Sequence, residues 1–314
     1  MLKLLIVLSV LTINMSCAQQ NTVTLEQQVI CNSPVVKIQV LGSGGPELTA
    51  NRASSSYLVW INGQAQVLID TGGGSSFRYG QSQARWSDLK AVLFTHFHAD
   101  HSSDFAAFIK ASWFGNRQQN LDIYGPYGNS FMPSTVEFIT AEFGENKGAF
   151  KYLSDFYNNQ NEKADYRLIP HTIDDLEQTQ LLYQTDELSI FAHKVRHGPI
   201  PAFAYIIKAC GQTVVFSGDT NGIGFEKLIL HKTDLFIAHN AIPGSAGNIA
   251  KSLHMTPTQI GKIASHLNAR LLILSHRMNR TLGKEQQTRQ DIQQNYMGKI
   301  VFANDLDIFK ALGK

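Results

Sequence analysis

Cysteine is scarce: Cys17, Cys31 and Cys210 are the only three in 314 residues. None has the paired spacing of a thiolate zinc site, which argues against metal held by sulfur. Charge of one sign is scarce too. Lys and Arg number 27, Asp and Glu 25, and the net charge is +2. A dedicated nucleic-acid binder shows a strong basic bias, so this balance argues against nucleic acid as a partner. The segment from Glu137 to Arg167 points the same way, with six acids against four bases. The chain has no low-complexity tract and no interdomain linker. The apolar run near its start is too short to span a bilayer, and the chain after it has no transmembrane span. Gly42-Ser43-Gly44-Gly45-Pro46 lacks the Lys-Ser/Thr ending of a P-loop and taken alone is a turn.

Residues 1–18 read as a secretory signal peptide. Lys3 gives the positive start, Leu4 to Val10 the apolar run, and Ser16-Cys17-Ala18 the small residues for cleavage after Ala18. The expectation is export to the periplasm or medium, with residues 19–314 as one domain. Cys17 leaves a second reading open, a lipoprotein whose mature end is that cysteine. Cys31 and Cys210 would remain in an oxidising compartment and could pair.

What the chain does have is a ligand cluster. Thr95-His96-Phe97-His98-Ala99-Asp100-His101 puts three histidines and an aspartate within six residues. The run Leu89 to Thr95 reads as a buried strand and Ser102 to Phe114 as a helix. In the extended part, residues two apart face the same way, which sets His96 beside His98. Asp100 and His101 turn back from the helix start towards a second point. Imidazole and carboxylate are common metal ligands, and two pairs facing two points suggest two metals.

Other strands end the same way. Gln66 to Ile69 follows a hairpin turn at Asn62-Gly63 and ends in Asp70-Thr71-Gly72. Leu188 to Val195 leads to His197, Val214 to Phe216 to Asp219, Leu235 to Ala238 to His239-Asn240, and Leu271 to Leu274, the last buried strand, to His276. Strands that repeatedly end in His or Asp argue for one site fed by many strands. Residues 130–165 read as a mostly helical elaboration, and Thr256-Pro257 opens a helix to about Leu267.

His96-x-His98-x-Asp100-His101, with the Gly-Ser-Gly-Gly-Pro loop and the strand endings, resembles the metallo-β-lactamase superfamily, specifically its arylsulfatase and ribonuclease Z branch. The resemblance covers about Val35 to Arg280. It implies an α/β fold, a four-layer αββα sandwich of two mixed sheets. It assigns one metal to His96, His98 and His197 and a second to Asp100, His101 and His276, with Asp219 bridging. It implies two zinc ions, although His and carboxylate suit iron or manganese as well. Such a pair would hold a bridging hydroxide as nucleophile. Asp70 matches an acid that supports the ligands from behind. Asp100 and His254 are placed at the reacting atoms, His254 as proton donor, and Arg280 as a clamp on an anionic oxygen of the substrate.

One departure stands out. The tRNA-processing members carry His-Glu-Ala-Thr where this chain reads His239-Asn240-Ala241-Ile242. Asn240 can orient His254 by a hydrogen bond but cannot stabilise an imidazolium by charge. His171, His193, His231, His239 and His266 have no place in the motif and read as surface or packing residues. The expected function is an exported binuclear hydrolase of a sulfate ester or phosphodiester in a small or extended anionic substrate. The alternatives are a tRNA 3′-end endonuclease, a β-lactam or lactone hydrolase, and a non-catalytic metal-binding protein.

Overall fold

The computed structural model describes residues 35–158 and 164–311. The signal peptide and the lipid-anchor reading of Cys17 fall outside these residues, as does Cys31. The first half of the chain lays down β1 (Val36–Gly42), β2 (Ser56–Ile61), β3 (Gln64–Ile69), β4 (Ala91–Leu93), β5 (Leu121–Gly125) and β6 (Leu168–Thr172). The second half lays down β7 (Gln180–Gln184), β8 (Leu188–His197), β9 (Ile200–Ala209), β10 (Gln212–Phe216), β11 (Thr233–His239), β12 (Ala269–Ser275) and β13 (Lys299–Phe302), and β14 (Ile308–Ala311) follows. They form two seven-stranded sheets, ordered β14-β1-β2-β3-β4-β5-β6 and β13-β12-β11-β10-β9-β8-β7.

Both sheets are mixed. The hairpin between β2 and β3 turns at Asn62 and Gly63, with φ of +51° and +85°, the two positive values of a type I′ turn. From β3 to β6 the pairing is parallel, as it is from β10 to β13. Strands read as continuous apolar runs because both faces are covered. Along β3, Val67 and Ile69 face the opposite sheet, where Tyr205, Val214 and Ile237 meet them. Leu68 faces outward, against Phe105, Phe108 and Ile109 of α3 (Phe105–Ser112) and Ile139 and Phe143 of α4 (Thr135–Phe143). On the far side, Phe236 and Leu272 pack on Ile260 and Ile263 of the helix Pro257–His266 and on Ile292 of the helix Glu285–Gln293. Three apolar layers between four structural layers give the expected αββα sandwich.

The structure departs from the sequence reading in two details. The helix expected from Ser102 to Phe114 is two pieces, a short turn Ala99–Ser102 and then α3. Two half-exposed strands that the sequence reading does not name, β13 and β14, follow the buried run Leu271 to Leu274, and β14 closes the first sheet by pairing Phe309 with Ile38. Short, half-exposed strands show no alternation to read. Cys210 sits at φ +50° in the tight turn after β9 and is disulfide-bonded.

Candidate metal centre

One edge of the sandwich collects the polar strand ends. After β4, backbone Phe94 N–H donates to Tyr124 O at 2.8 Å, which keeps the chain extended into His96. His98 then caps the turn Ala99–Ser102, and His101 N–H donates to His98 O at 2.9 Å, folding His101 back over the loop. His197 and His239 are the last residues of β8 and β11. Asp219 follows β10, and His276 follows β12 at a left-handed φ of +53°. Side chains from the ends of five strands therefore meet, and among them only His98 and Asp100 escape near-complete burial.

Two donor sets share Asp219. In the first, His98 Nδ1 lies 3.0 Å from His96 Nε2 and 3.3 Å from His197 Nε2, and Asp219 Oδ2 lies 4.0 and 3.7 Å from those two Nε2 atoms. The tautomers are fixed from behind. His197 donates Nδ1–H to Leu253 O at 2.8 Å, and His96 Nδ1 lies 3.1 Å from Thr95 Oγ1, so both Nε2 lone pairs face inward. Four donors about 3.3 Å apart are what a tetrahedral cation with ligands near 2.0–2.1 Å requires.

In the second set, His101 Nε2 lies 3.6 Å from Asp100 Oδ2 and 3.8 Å from Asp219 Oδ2, and His276 Nε2 lies 3.1 Å from Asp100 Oδ2 and 3.5 Å from Asp219 Oδ1. His101 Nε2 is fully buried with no hydrogen-bond partner among the described residues. A buried polar nitrogen without a hydrogen-bond partner is costly, and a cation bound beside it would satisfy it, so the residues present fit a second metal. His239 also reaches this point and groups with His101, Asp219 and His276. Its Nδ1, however, donates to Asp219 Oδ1 at 2.8 Å, and its Nε2 meets the Tyr57 hydroxyl at 3.1 Å. With both nitrogens engaged, His239 orients Asp219, and Asp100 completes the donor set.

The charges follow from this packing. Burial, with His101 and His197 beside it, pushes His96 well below the usual imidazole range. Burial opposes ionisation of Asp219, but His276, His254 and His239 around it hold the carboxylate well below its usual range. Burial also pushes His101 down, yet Asp100, Asp70 and Asp219 more than offset it and raise it to about 9. Burial opposes charge on His276 too, but Asp219 and Asp100 raise it, so this end of the site favours positive charge, and a metal bound there would displace any proton on those ring nitrogens.

Asp70 is where the sequence placed it, behind the ligands. It is fully buried at φ +56° and accepts from Thr95 N–H at 2.7 Å, Thr95 Oγ1–H at 2.8 Å and His101 Nδ1–H at 2.7 Å. Two glycines make room. A Cβ on Gly72 would stand 2.2 Å from Asp100 O, and one on Gly45 would stand 2.6 Å from His276 Cε1. The glycine-rich loop after β1 is therefore the surface on which the His276 ring rests.

Two expectations need correction. His239 is 3% exposed inside the site, not a surface or packing residue. His193 and His266 do play packing roles, accepted by Gly224 O and Leu228 O. Asn240 does not orient His254. Its amide is buried with neither atom hydrogen-bonded among the described residues, and His254 Nδ1 is also without such a bond. Asn240 is one methylene shorter than glutamate, and its backbone N–H is locked to Ser275 O at 2.8 Å. His254 Nδ1 instead faces Asp219 Oδ2 at 3.7 Å. Burial, with His276, His197 and Arg280 nearby, pushes His254 down to about 4, Asp219 offsetting only part of this. Arg280 lies on the same side, its Nε–H donating to Ala241 O at 2.6 Å. No carboxylate among the described residues pairs with it.

Comparison with known proteins agrees with this geometry. Residues 50–276 match the model of the metallo-beta-lactamase superfamily. A ribonuclease Z of Mycolicibacterium paratuberculosis is 24% identical over 285 residues, 87% of this chain and 97% of the relative. A ribonuclease Z of Mycolicibacterium gilvum is 28% identical over 254 residues, 77% of this chain and 84% of the relative. The human tRNase Z short form superposes with a TM-score of 0.65 at 20% identity, covering 87% of this chain and 98% of that one. These relatives overturn the expectation that nucleic acid is not a partner, since enzymes named for RNA align along nearly their whole length. Net charge averaged over a chain does not report a local contact surface, and a charged metal site needs little basic bias to hold a phosphate. The chain belongs to the metallo-β-lactamase superfamily of metal-dependent hydrolases.

Proposed function

We propose that this protein is a metal-dependent phosphodiesterase that acts on RNA, as its ribonuclease Z relatives do by name. The carrying observation is the pair of donor sets sharing Asp219, with His254 and the carboxylate-free Arg280 on one side of them. His96, His98 and His197 would hold one cation, and Asp100, His101 and His276 the other. Zinc suits this imidazole and carboxylate set. Two divalent cations bound there supply a nucleophile from water at neutral pH and offset charge on the phosphoryl oxygens.

The chain's own residues do the rest. His254 enters as a neutral imidazole and presents an N–H to the departing ester oxygen. Arg280 can hold a non-bridging phosphate oxygen through the guanidinium nitrogens that Ala241 does not engage. His239 and Tyr57 hold Asp219 in place for both donor sets. A sulfate ester, the first expectation, has no support from the comparisons.

We further propose that residues 19–314 act as one hydrolase domain after export. The reading rests on Lys3 and the apolar run behind it. The disulfide at Cys210 supports an oxidising compartment. N-terminal sequencing of the mature protein from its native host tests this; an intact Met1 would overturn it.

The activity is tested with the full mature chain, stripped by chelator and reloaded with zinc. Substrates are an RNA oligonucleotide with a 3′ trailer, an aryl phosphodiester and an aryl sulfate. Chelator-reversible cleavage of the first two is expected. Turnover of the sulfate alone would overturn the phosphodiester reading.

A further inference from the structure

Next to the donor sets lies a cleft of about 450 Å³, lined by Ile249, Ala250, Leu253, His254 and Arg280. Its wall is α5 (Asn248–Leu253), a helix with no buried residue. Ile249 is 83% exposed. Short helices that bury nothing are held by other means, and here the holding is directed at the site. Leu253 O accepts from His197 Nδ1–H at 2.8 Å, and a Cβ on Gly198 would stand 2.7 Å from Leu253 Cδ2. The helix is thus fixed to the metal-ligand loop while Ile249 and Ala250 stay open to the cleft.

The chemistry of the walls is divided. One side is aliphatic. Arg280, which no carboxylate among the described residues neutralises, and His254 make up the polar part of the lining. No acidic residue lines the cleft. An aliphatic wall beside an uncompensated cation and a proton donor suits a flat, uncharged ring tethered to a phosphate.

We propose that this cleft is the subsite for a nucleobase adjoining the scissile phosphodiester, with Ile249 as a specificity-determining residue against the base face. The proposal rests on the phosphodiesterase reading above and adds where the substrate's base goes. Because the wall is aliphatic, it grips the base by its face and is tolerant of base identity.

The test uses two esters with a common leaving group, the p-nitrophenyl ester of uridine 5′-phosphate and methyl p-nitrophenyl phosphate. The zinc-loaded full chain is compared with Ile249→Asp and Ile249→Ala. The ratio of kcat/KM values, nucleoside over methyl ester, is expected to fall about tenfold in Ile249→Asp and less in Ile249→Ala, through KM. An unchanged ratio overturns the subsite. Calorimetric binding of uridine 5′-monophosphate against methyl phosphate reads the same preference without turnover. If neither ester is hydrolysed, the phosphodiesterase reading fails. The binding ratio then still decides the subsite: about a tenfold loss in Ile249→Asp supports it and no loss overturns it. Matching unfolding midpoints of the three proteins confirm that an exposed side chain was changed without harm to the fold.

Discussion

Asp70→Asn separates support of the metal ligands from ligation itself. The substitution keeps shape and suits the left-handed backbone at φ +56°, which Asn tolerates. What changes is the hydrogen-bond polarity. Asp70 accepts three hydrogen bonds, two from Thr95 and one from His101 Nδ1–H. An amide oxygen can still take Thr95 N–H, but the NH2 group then faces His101 Nδ1. His101 must switch to the Nε2–H tautomer, which removes from the second donor set the lone pair that is now buried without a partner. Losing a hydrogen bond to a charged group costs about 1.5–3 kcal/mol, expected in the unfolding free energy of the metal-free protein. Loss of such support typically weakens metal binding about 10–100-fold, or roughly 1.4–2.7 kcal/mol. Chelator competition on the zinc-loaded protein should show the weaker binding in one cation far more than in the other, because among the described residues Asp70 reaches His96 only through Thr95. Wild-type affinity for every bound cation, with an unchanged unfolding midpoint, would refute the tautomer argument.

Other outcomes follow from the same geometry. Gly45→Ala would put a methyl 2.6 Å from His276 Cε1 and should cost about 1–3 kcal/mol in denaturant unfolding while weakening zinc at the second set. Arg280→Gln should lower kcat/KM for an aryl phosphodiester about 10–100-fold, mostly through KM, since it removes a charge-assisted contact to the phosphate. Stability should also report on His193, whose buried ring is pushed below its ordinary 6.5 by burial, the bond to Gly224 O offsetting part. The unfolded chain then takes a proton that the folded chain refuses, so the stability present above 6.5 is lost as pH falls below it. His193→Asn should flatten that slope in urea titrations of the metal-free protein across pH 5–7.

The site was legible where ligand residues end strands. His96, His197, Asp219 and His276 each close a buried apolar run, and the sheets bring these ends to one edge. His239 closes β11 in the same way, so the signal that found the others was present; it was discounted because the resemblance gave it no ligand role. Its role in holding Asp219 depends on Tyr57, 182 residues away in sequence, a pairing visible only after folding. Asn240 failed for a local reason, a side chain too short and a backbone already locked to Ser275. The edge strands β6, β7, β13 and β14 are short and half exposed and give no apolar run to read, whereas the doubly covered central strands do.

The account turns on Asp219 serving both donor sets. The direct test is the zinc content of the full mature chain, His98→Ala and Asp219→Ala, measured after dialysis at fixed free zinc. About two equivalents in the unmodified protein, about one in His98→Ala and nearly none in Asp219→Ala are expected. Asp219→Ala that folds and keeps two equivalents, or an unmodified protein that binds only one, would contradict the shared-carboxylate site.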